Sequence, residues 1–250
     1  MVGFTMNIPH LKSRFRSTLS LLLLLLSAVP AGYAAELSLA PFNASYDLHK
    51  GKRHIAVTEL SLKAAGENWR WSSLTAARGV YAWFTRKRPY TETLFSRVDG
   101  EIRLIEILIA DASKRKQQES ANFDWDKGQM EVLRKGKRKR LPLTDAVYDY
   151  QSIHLLAAVM GQRQQAEMTV DFYRKGKLVE SSLIYSGRHR LDLNGKSIDV
   201  DVYRQSIASS DTEITYYYDA ANPLLPIRIE RNEPGEKPVI LTLRQDERDL

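Results

Sequence analysis

A chain of 250 residues with 43% apolar and 27% charged side chains is long and apolar enough to bury a sizeable core, and without cysteine it has neither a disulfide framework nor a lipidation site, so its own core is expected to hold it together. Its formal charge is +7, but Lys12, Arg14 and Arg16 fall in the first 34 residues, which hold no acid, so residues 35–250 keep 34 basic against 30 acidic groups, a net of +4. So mild a balance favours contact with anionic surfaces and gives no reason to invoke nucleic acid.

The basic stretch is followed by LSLLLLLLSAV from Leu19 to Val29 and then by small residues, with Gly32 and Ala34 placed for cleavage after Ala34. This is the pattern of a secretory signal peptide over residues 1–34. Its apolar run is 11 residues, too short to cross a bilayer. The expectation is export to the periplasm, removal of 1–34, and one β-rich domain over 35–250 with no transmembrane segment after cleavage.

From Phe42 the sequence alternates apolar and polar residues to Leu48 and turns at Lys50-Gly51, which is strand period with one face buried. Arg53 to Ala64 continues, with a phase change between Val57 and Leu60 that predicts a bulge. Trp69–Thr75, Val80–Thr85, Tyr90–Val98 and Glu101–Ile109 follow as strands, the last two joined by Asp99-Gly100, a strong hairpin signal. Gln117–Trp125, Gln129–Lys135 and Lys139–Leu143 lead to the one segment that reads as a long helix, Thr144 to Gly161. There Thr144 or Asp145 can cap, residues 146–160 lack Gly and Pro, and Gly161 is a natural stop. Leu155, Leu156 and Val159 carry apolar surface well round this helix, so it is expected to lie against or inside a curved sheet.

Beyond it, strands are expected at Glu167–Lys175, Leu178–Tyr185, Arg190–Leu193, Ser197–Arg204, Thr212–Tyr218, Ile227–Arg231 and Val239–Arg244. The turns between them are marked by Gly176, Gly187, Asn194-Gly195, Asn222-Pro223 and Glu233-Pro234-Gly235. The fold class is mainly β: a large curved antiparallel sheet, or a partly closed barrel-like meander, with one principal helix over about 145–160.

Chemistry is harder to find. Asp149, Ser152 and His154 hold the residue types of a hydrolytic triad, but Ser152 and His154 would lie roughly 160° apart round a regular helix and could not share a proton. His49 and His54 could meet across a hairpin, yet no histidine pair has metal-ligand spacing. Asp199 and Asp201 share a strand face, which the alternation with Ile198, Val200 and Val202 already explains as a solvent face. Nucleophile elbow, phosphate loop and dinucleotide fingerprint are all missing, so the expectation is a protein without catalytic residues or cofactor.

Two features rise above this background. Aromatics recur two apart, Trp69 and Trp71, Tyr81 and Trp83, Phe123 and Trp125, Tyr216 and Tyr218, each pair directed to one face of its strand. They could line a concavity for an apolar ligand or simply fill a core. Arg134, Lys135, Lys137, Arg138, Lys139 and Arg140 put six charges into seven residues around Gly136, which predicts an exposed hairpin tip, either merely solvated or facing phosphate-bearing lipid.

PFNASYDL (Pro41 to Leu48), DYQS (Asp149 to Ser152) and NPLLPIRIE (Asn222 to Glu230) give the chain a resemblance to the domain-of-unknown-function 3108 family of secreted Gram-negative envelope proteins. The resemblance implies a periplasmic, sheet-rich protein and supplies no catalytic residues. The leading functional expectation is a non-enzymatic binding or carrier protein for an apolar or amphipathic envelope ligand. The alternative is a structural or interaction protein of envelope maintenance with a filled core, and a hydrolase has least support.

Overall fold

Fifteen strands form one sheet in the computed structural model, which describes residues 37–244 except 99, 115, 194 and 209. The leader expected over 1–34 lies outside the described residues, as do Asp99 and Asn194 of two expected turns. The strands are β1 (Phe42–Lys50), β2 (Arg53–Ala65), β3 (Asn68–Ala77), β4 (Pro89–Val98), β5 (Glu101–Asp111), β6 (Lys116–Asp124), β7 (Gln129–Arg134), β8 (Lys137–Pro142) and β9 (Val147–Tyr148). After the helix come β10 (Glu167–Arg174), β11 (Lys177–Leu193), β12 (Lys196–Ile207), β13 (Ser210–Asp219), β14 (Asn222–Asn232) and β15 (Val239–Leu243). Helices are α1 (Tyr81–Phe84) and α2 (Ile153–Arg163).

Strands β1 to β8 run outward from the middle of the sheet in one direction and β15 down to β9 in the other, with β1 paired to β15 at the centre. Neighbours are antiparallel apart from β9 and β10, which are parallel. The sheet does not close by strand pairing, since β8 and β9 are its two edges. Both edges are nevertheless tied within the four residues 143–146: Leu143 N–H donates to Gly128 O (2.9 Å), and Ala146 O accepts from Asp171 N–H (3.1 Å). Side chains complete the seam. Tyr173 on β10 donates to Glu119 on β6 (2.8 Å), Glu119 is paired with Arg134 on β7 (2.5 Å), and the rings of Tyr173 and Phe123 meet at 6.4 Å. Gly176, at φ 74° in the β10–β11 turn, sits where a Cβ would come 3.0 Å from Arg134 Cδ, so glycine there serves both the left-handed backbone and the close approach.

Helix α2 fills the concave side. Residues 153–160 are all buried, and Ile153, Leu155, Leu156 and Met160 join Trp71, Phe95, Leu104, Met130 and Phe172 in the main core. An apolar surface this far round the cylinder has no solvent face to offer, which is why the helix lies inside the sheet and not on it. A second, smaller cluster joins Leu193 and Val200, from the far end of the β11–β12 hairpin, to Ala44, Tyr46, Leu60, Ile227 and Leu243.

Several local expectations are corrected. The helix begins at 153 and not at 144, because Thr144 bonds to Asp171 and Val147–Tyr148 pair with Asp171–Phe172: the segment is spent on the seam. The N-cap of the helix is Ser152 and not Thr144 or Asp145, and its side chain makes no cap bond to the helix; the bonds lie one turn earlier, Asp149 Oδ1 accepting from Ser152 N–H (2.8 Å) while Ser152 Oγ accepts from Asp149 N–H (2.8 Å). DYQS is thus a reciprocal capping box on the turn that leads into the helix, with serine in the usual Glu place. Gly161 does not stop the helix. It lets Tyr203 come close, and the end falls at Gln164, φ 52°, with Gln165 N–H returning to Met160 O. Val80–Thr85 is no strand, since Tyr81–Phe84 make one helical turn. The bulge expected in β2 between Val57 and Leu60 falls instead at Ile55, which is left unpaired opposite Leu48/His49; Leu178–Leu193 is one strand that bulges between Tyr185 and Gly187; and Asn222-Pro223 opens β14 instead of breaking it.

Candidate functional site

Aromatic residues from opposite parts of the sheet meet on the helix. His154 stacks on Trp71 (centroids 5.3 Å, 25°), meets Tyr216 edge-on at 5.3 Å, and shares a hydrogen bond between its Nδ1 and the Tyr218 hydroxyl (2.9 Å). Tyr216 in turn donates to Gln205 Oε1 (2.7 Å), whose Nε2 donates to Ser181 Oγ (3.0 Å). Burial holds the imidazole neutral, pushing its pKa down to about 3, and pushes the Tyr218 phenol well above its ordinary value. Trp71 Nε1 and Gln151 Oε1 are buried without a hydrogen-bond partner.

Beside this cluster Asp149 is fully buried. Its Oδ2 accepts from Thr93 on β4, and its Oδ1 from the N–H groups of Gln151 (3.2 Å) and Ser152 (2.8 Å) and from Ser152 Oγ (2.7 Å). Burial raises its pKa against those bonds, which hold it down. Ser152 is therefore committed to Asp149 and His154 to Tyr218, so the three triad residue types are neighbours in sequence with separate structural bonds.

Of the eight aromatics singled out in sequence, Trp71, Phe123, Tyr216 and Tyr218 are buried in the main core, and Trp69 and Trp125 pack at its margin, Trp125 donating to Leu104 O (2.7 Å). Tyr81 and Trp83 do not join them. Trp83 is 90% exposed on α1, because a helical turn cannot send residues i and i+2 to one face. The basic run forms the β7–β8 hairpin tip and edge strand, with Lys135 to Arg140 exposed. Arg134 is paired with Glu119, and Arg138 (3.2 Å) and Arg140 (3.7 Å) share Glu131. Lysines on an edge strand also block its pairing with another chain. Asp201 is held bidentately by Arg188 (3.1 Å each) and Asp199 by Arg190 (3.3 Å), while His49 and His54 do meet, at 5.0 Å. Among the described residues no group of three potential metal ligands gathers.

Sequence reading missed the His154 cluster and the Glu119–Arg134–Tyr173 seam, whose members come from distant strands. The capping box was legible as D-x-x-S. Among the open clefts, one of about 820 Å³ runs beside Ile109, Glu119, Leu133 and Arg134, one of about 370 Å³ lies by Phe42, Leu224 and Leu243, and one of about 300 Å³ lies at the C-terminal end of α2, by Gly161, Gln164, Tyr185 and Tyr203.

The family model described as "Protein of unknown function (DUF3108)" matches residues 42–235. The chain belongs to this family. Two of the three segments quoted for the resemblance fall wholly within that span, and Pro41 lies one residue before it. No curated protein matches. Among solved structures, this DUF3108 chain is similar to the "Beta-barrel-like Protein of Domain of Unknown Function DUF1849 from Brucella abortus", at 12% identity and a TM-score of 0.52, over 83% of this chain and 97% of that one. That likeness carries the barrel-like fold and nothing about activity.

His154 makes the stability of this DUF3108 protein depend on pH. A base whose folded pKa is depressed contributes stability present above its unfolded value and lost as pH falls toward the folded one, here from about 6.5 to about 3. Asp149, raised on folding, works in the opposite sense. The difference between wild type and His154→Phe isolates the histidine: it should change by about 2 to 3 kcal/mol between pH 7 and pH 4.5 in urea titrations. A difference constant over that range would mean that His154 is not held neutral.

Proposed function

We propose that the protein is a non-enzymatic interaction protein of the periplasmic cell envelope that works from the outside of a filled barrel. The observation that carries this reading is the occupied concave side. The space in which a curved sheet would hold an apolar ligand is taken by α2, with Trp71, His154, Tyr216 and Tyr218 packed on one another. Three of the four aromatic pairs that suggested a ligand pocket lie in the core or at its margin, Tyr81 and Trp83 do not, and the groups left free to meet a partner lie outside.

Native mass spectrometry of the protein purified from the envelope without detergent tests the reading. The expected spectrum is the bare polypeptide at the mass of residues 35–250, which also reports cleavage after Ala34. A stoichiometric lipid retained on each chain would overturn it in favour of the carrier. A retained leader would remove the soluble periplasmic location.

A further inference from the structure

We propose that the β3–β4 connection is a membrane-contact tip, with Val80, Trp83 and Phe84 entering the headgroup layer of an anionic bilayer and Arg78, Arg86, Lys87 and Arg88 binding its phosphates. The proposal rests on the reading that the protein works in the envelope from its outer surface. It concerns a different segment from the β7–β8 hairpin.

Trp83 is 90% exposed, Phe84 87% and Val80 66%, in a chain whose other tryptophans are buried or packed at the core margin. The three sit together on residues 80–84, where α1 has no buried residue. This is not a loose loop. Arg78 N–H donates to Ile55 O (3.0 Å), Thr85 N–H to Tyr81 O (3.1 Å), Ala112 N–H to Arg88 O (2.9 Å) and Arg88 N–H to Asp111 Oδ1 (3.1 Å), so both feet of the connection are tied to the sheet. Presenting the aromatics therefore costs little further ordering when they meet a surface.

Charge says what that surface is. From Arg78 to Arg88 there is no acid, and the four basic side chains, all exposed, flank the apolar turn on both sides. The antiparallel meander puts the β1–β2, β5–β6 and β7–β8 turns at the same end of the sheet, and these add Lys52, Lys114 and Lys135, while the β14–β15 turn at that end carries Glu233 and Glu236, each paired with a cation, Arg231 and Lys50. The turns at the opposite end are mixed, with Glu67, Asp126, Lys127 and Asp145. An apolar tip ringed at its base by cations matches a bilayer interface, where phosphates lie above the first acyl carbons and tryptophan is favoured at the boundary. A protein partner fits less well, since three side chains on a single convex turn fall far short of the roughly 800 Å² per side of a stable interface.

The test is co-sedimentation with vesicles of phosphatidylcholine, alone or mixed with phosphatidylglycerol, together with tryptophan emission, using purified protein whose N-terminus is defined by intact mass. Wild type is expected to bind the mixed vesicles with a blue shift and to bind phosphatidylcholine weakly. W83S/F84S should lose the shift and roughly tenfold or more in affinity. R86Q/K87Q/R88Q should lose about fivefold per charge, roughly a hundredfold in all, as should wild type in high salt. K137Q/K139Q, on the β7–β8 hairpin, should keep the shift. All substituted side chains are outside the core, so unchanged melting temperatures confirm folding. Absence of wild-type binding to the mixed vesicles overturns the proposal, and so does binding that W83S/F84S leaves intact. Either result leaves the filled-barrel reading standing, because that reading is tested separately, by a lipid carried inside and by the burial of α2.

Discussion

Leu156→Asp is expected to abolish cooperative folding at neutral pH. Leu156 has no exposed surface and lies on the helix that fills the sheet, so the new carboxylate would enter the main core with no partner provided for it. Removing the leucine contacts alone costs about 2 to 5 kcal/mol, and a buried unpaired charge adds several more, against a total stability of roughly 5 to 15 kcal/mol for a domain. Circular dichroism through a thermal or urea ramp reads the outcome. Leu156→Met, which keeps volume and polarity, should stay within about 1.5 kcal/mol of wild type, and Gln162→Asp, on the exposed last turn, should be nearly silent. A melting temperature for Leu156→Asp near that of wild type would place the helix at the periphery and remove the basis of the filled barrel.

Asp149→Ala should be nearly as damaging for a different reason. The carboxylate satisfies four donors, Thr93 Oγ1, Ser152 Oγ and the N–H groups of Gln151 and Ser152, in a site closed to water. Deleting it strands those donors and removes the capping box, an expected loss of about 3 to 5 kcal/mol, or roughly 10 °C in melting temperature for a domain of this size. Adding Thr93→Val should recover part of the loss, because an orphaned hydroxyl costs more than a missing one. Asp149→Asn, which keeps a carbonyl acceptor, should fall between. A drop of less than about 3 °C for Asp149→Ala would show that the bonds to Asp149 carry little of the fold.

These two residues mark what could be read early and what could not. The apolar girdle of α2 and the D-x-x-S spacing are local, so the helix, its burial and its cap residue types were all present in the string, although the boundary was drawn nine residues too soon. That error has a physical cause: Thr144–Tyr148 carries a capping residue and no Gly or Pro, but its Thr, Val and Tyr favour a strand, and Asp171 and Phe172, more than twenty residues away, offered it a strand partner and a side-chain bond. The short α1 was misread in the opposite direction. Its alternating aromatics fit strand period over six residues, too short a run to separate from one helical turn.

By itself, then, the sequence determined the class of fold, the succession of hairpins and the presence of a helix that could not live on a surface, because period-2 alternation, turn residues and an all-round apolar stretch act over a few neighbours. Tertiary structure alone decided that Trp71, His154 and Tyr218 would meet, that Glu119 would take Arg134 and Tyr173 across the seam, and that Trp83 would be left outside while Trp71 went in. Each of those outcomes depends on the curvature and register of a fifteen-stranded sheet, which sums small twists over the whole chain and is written in no single segment of it.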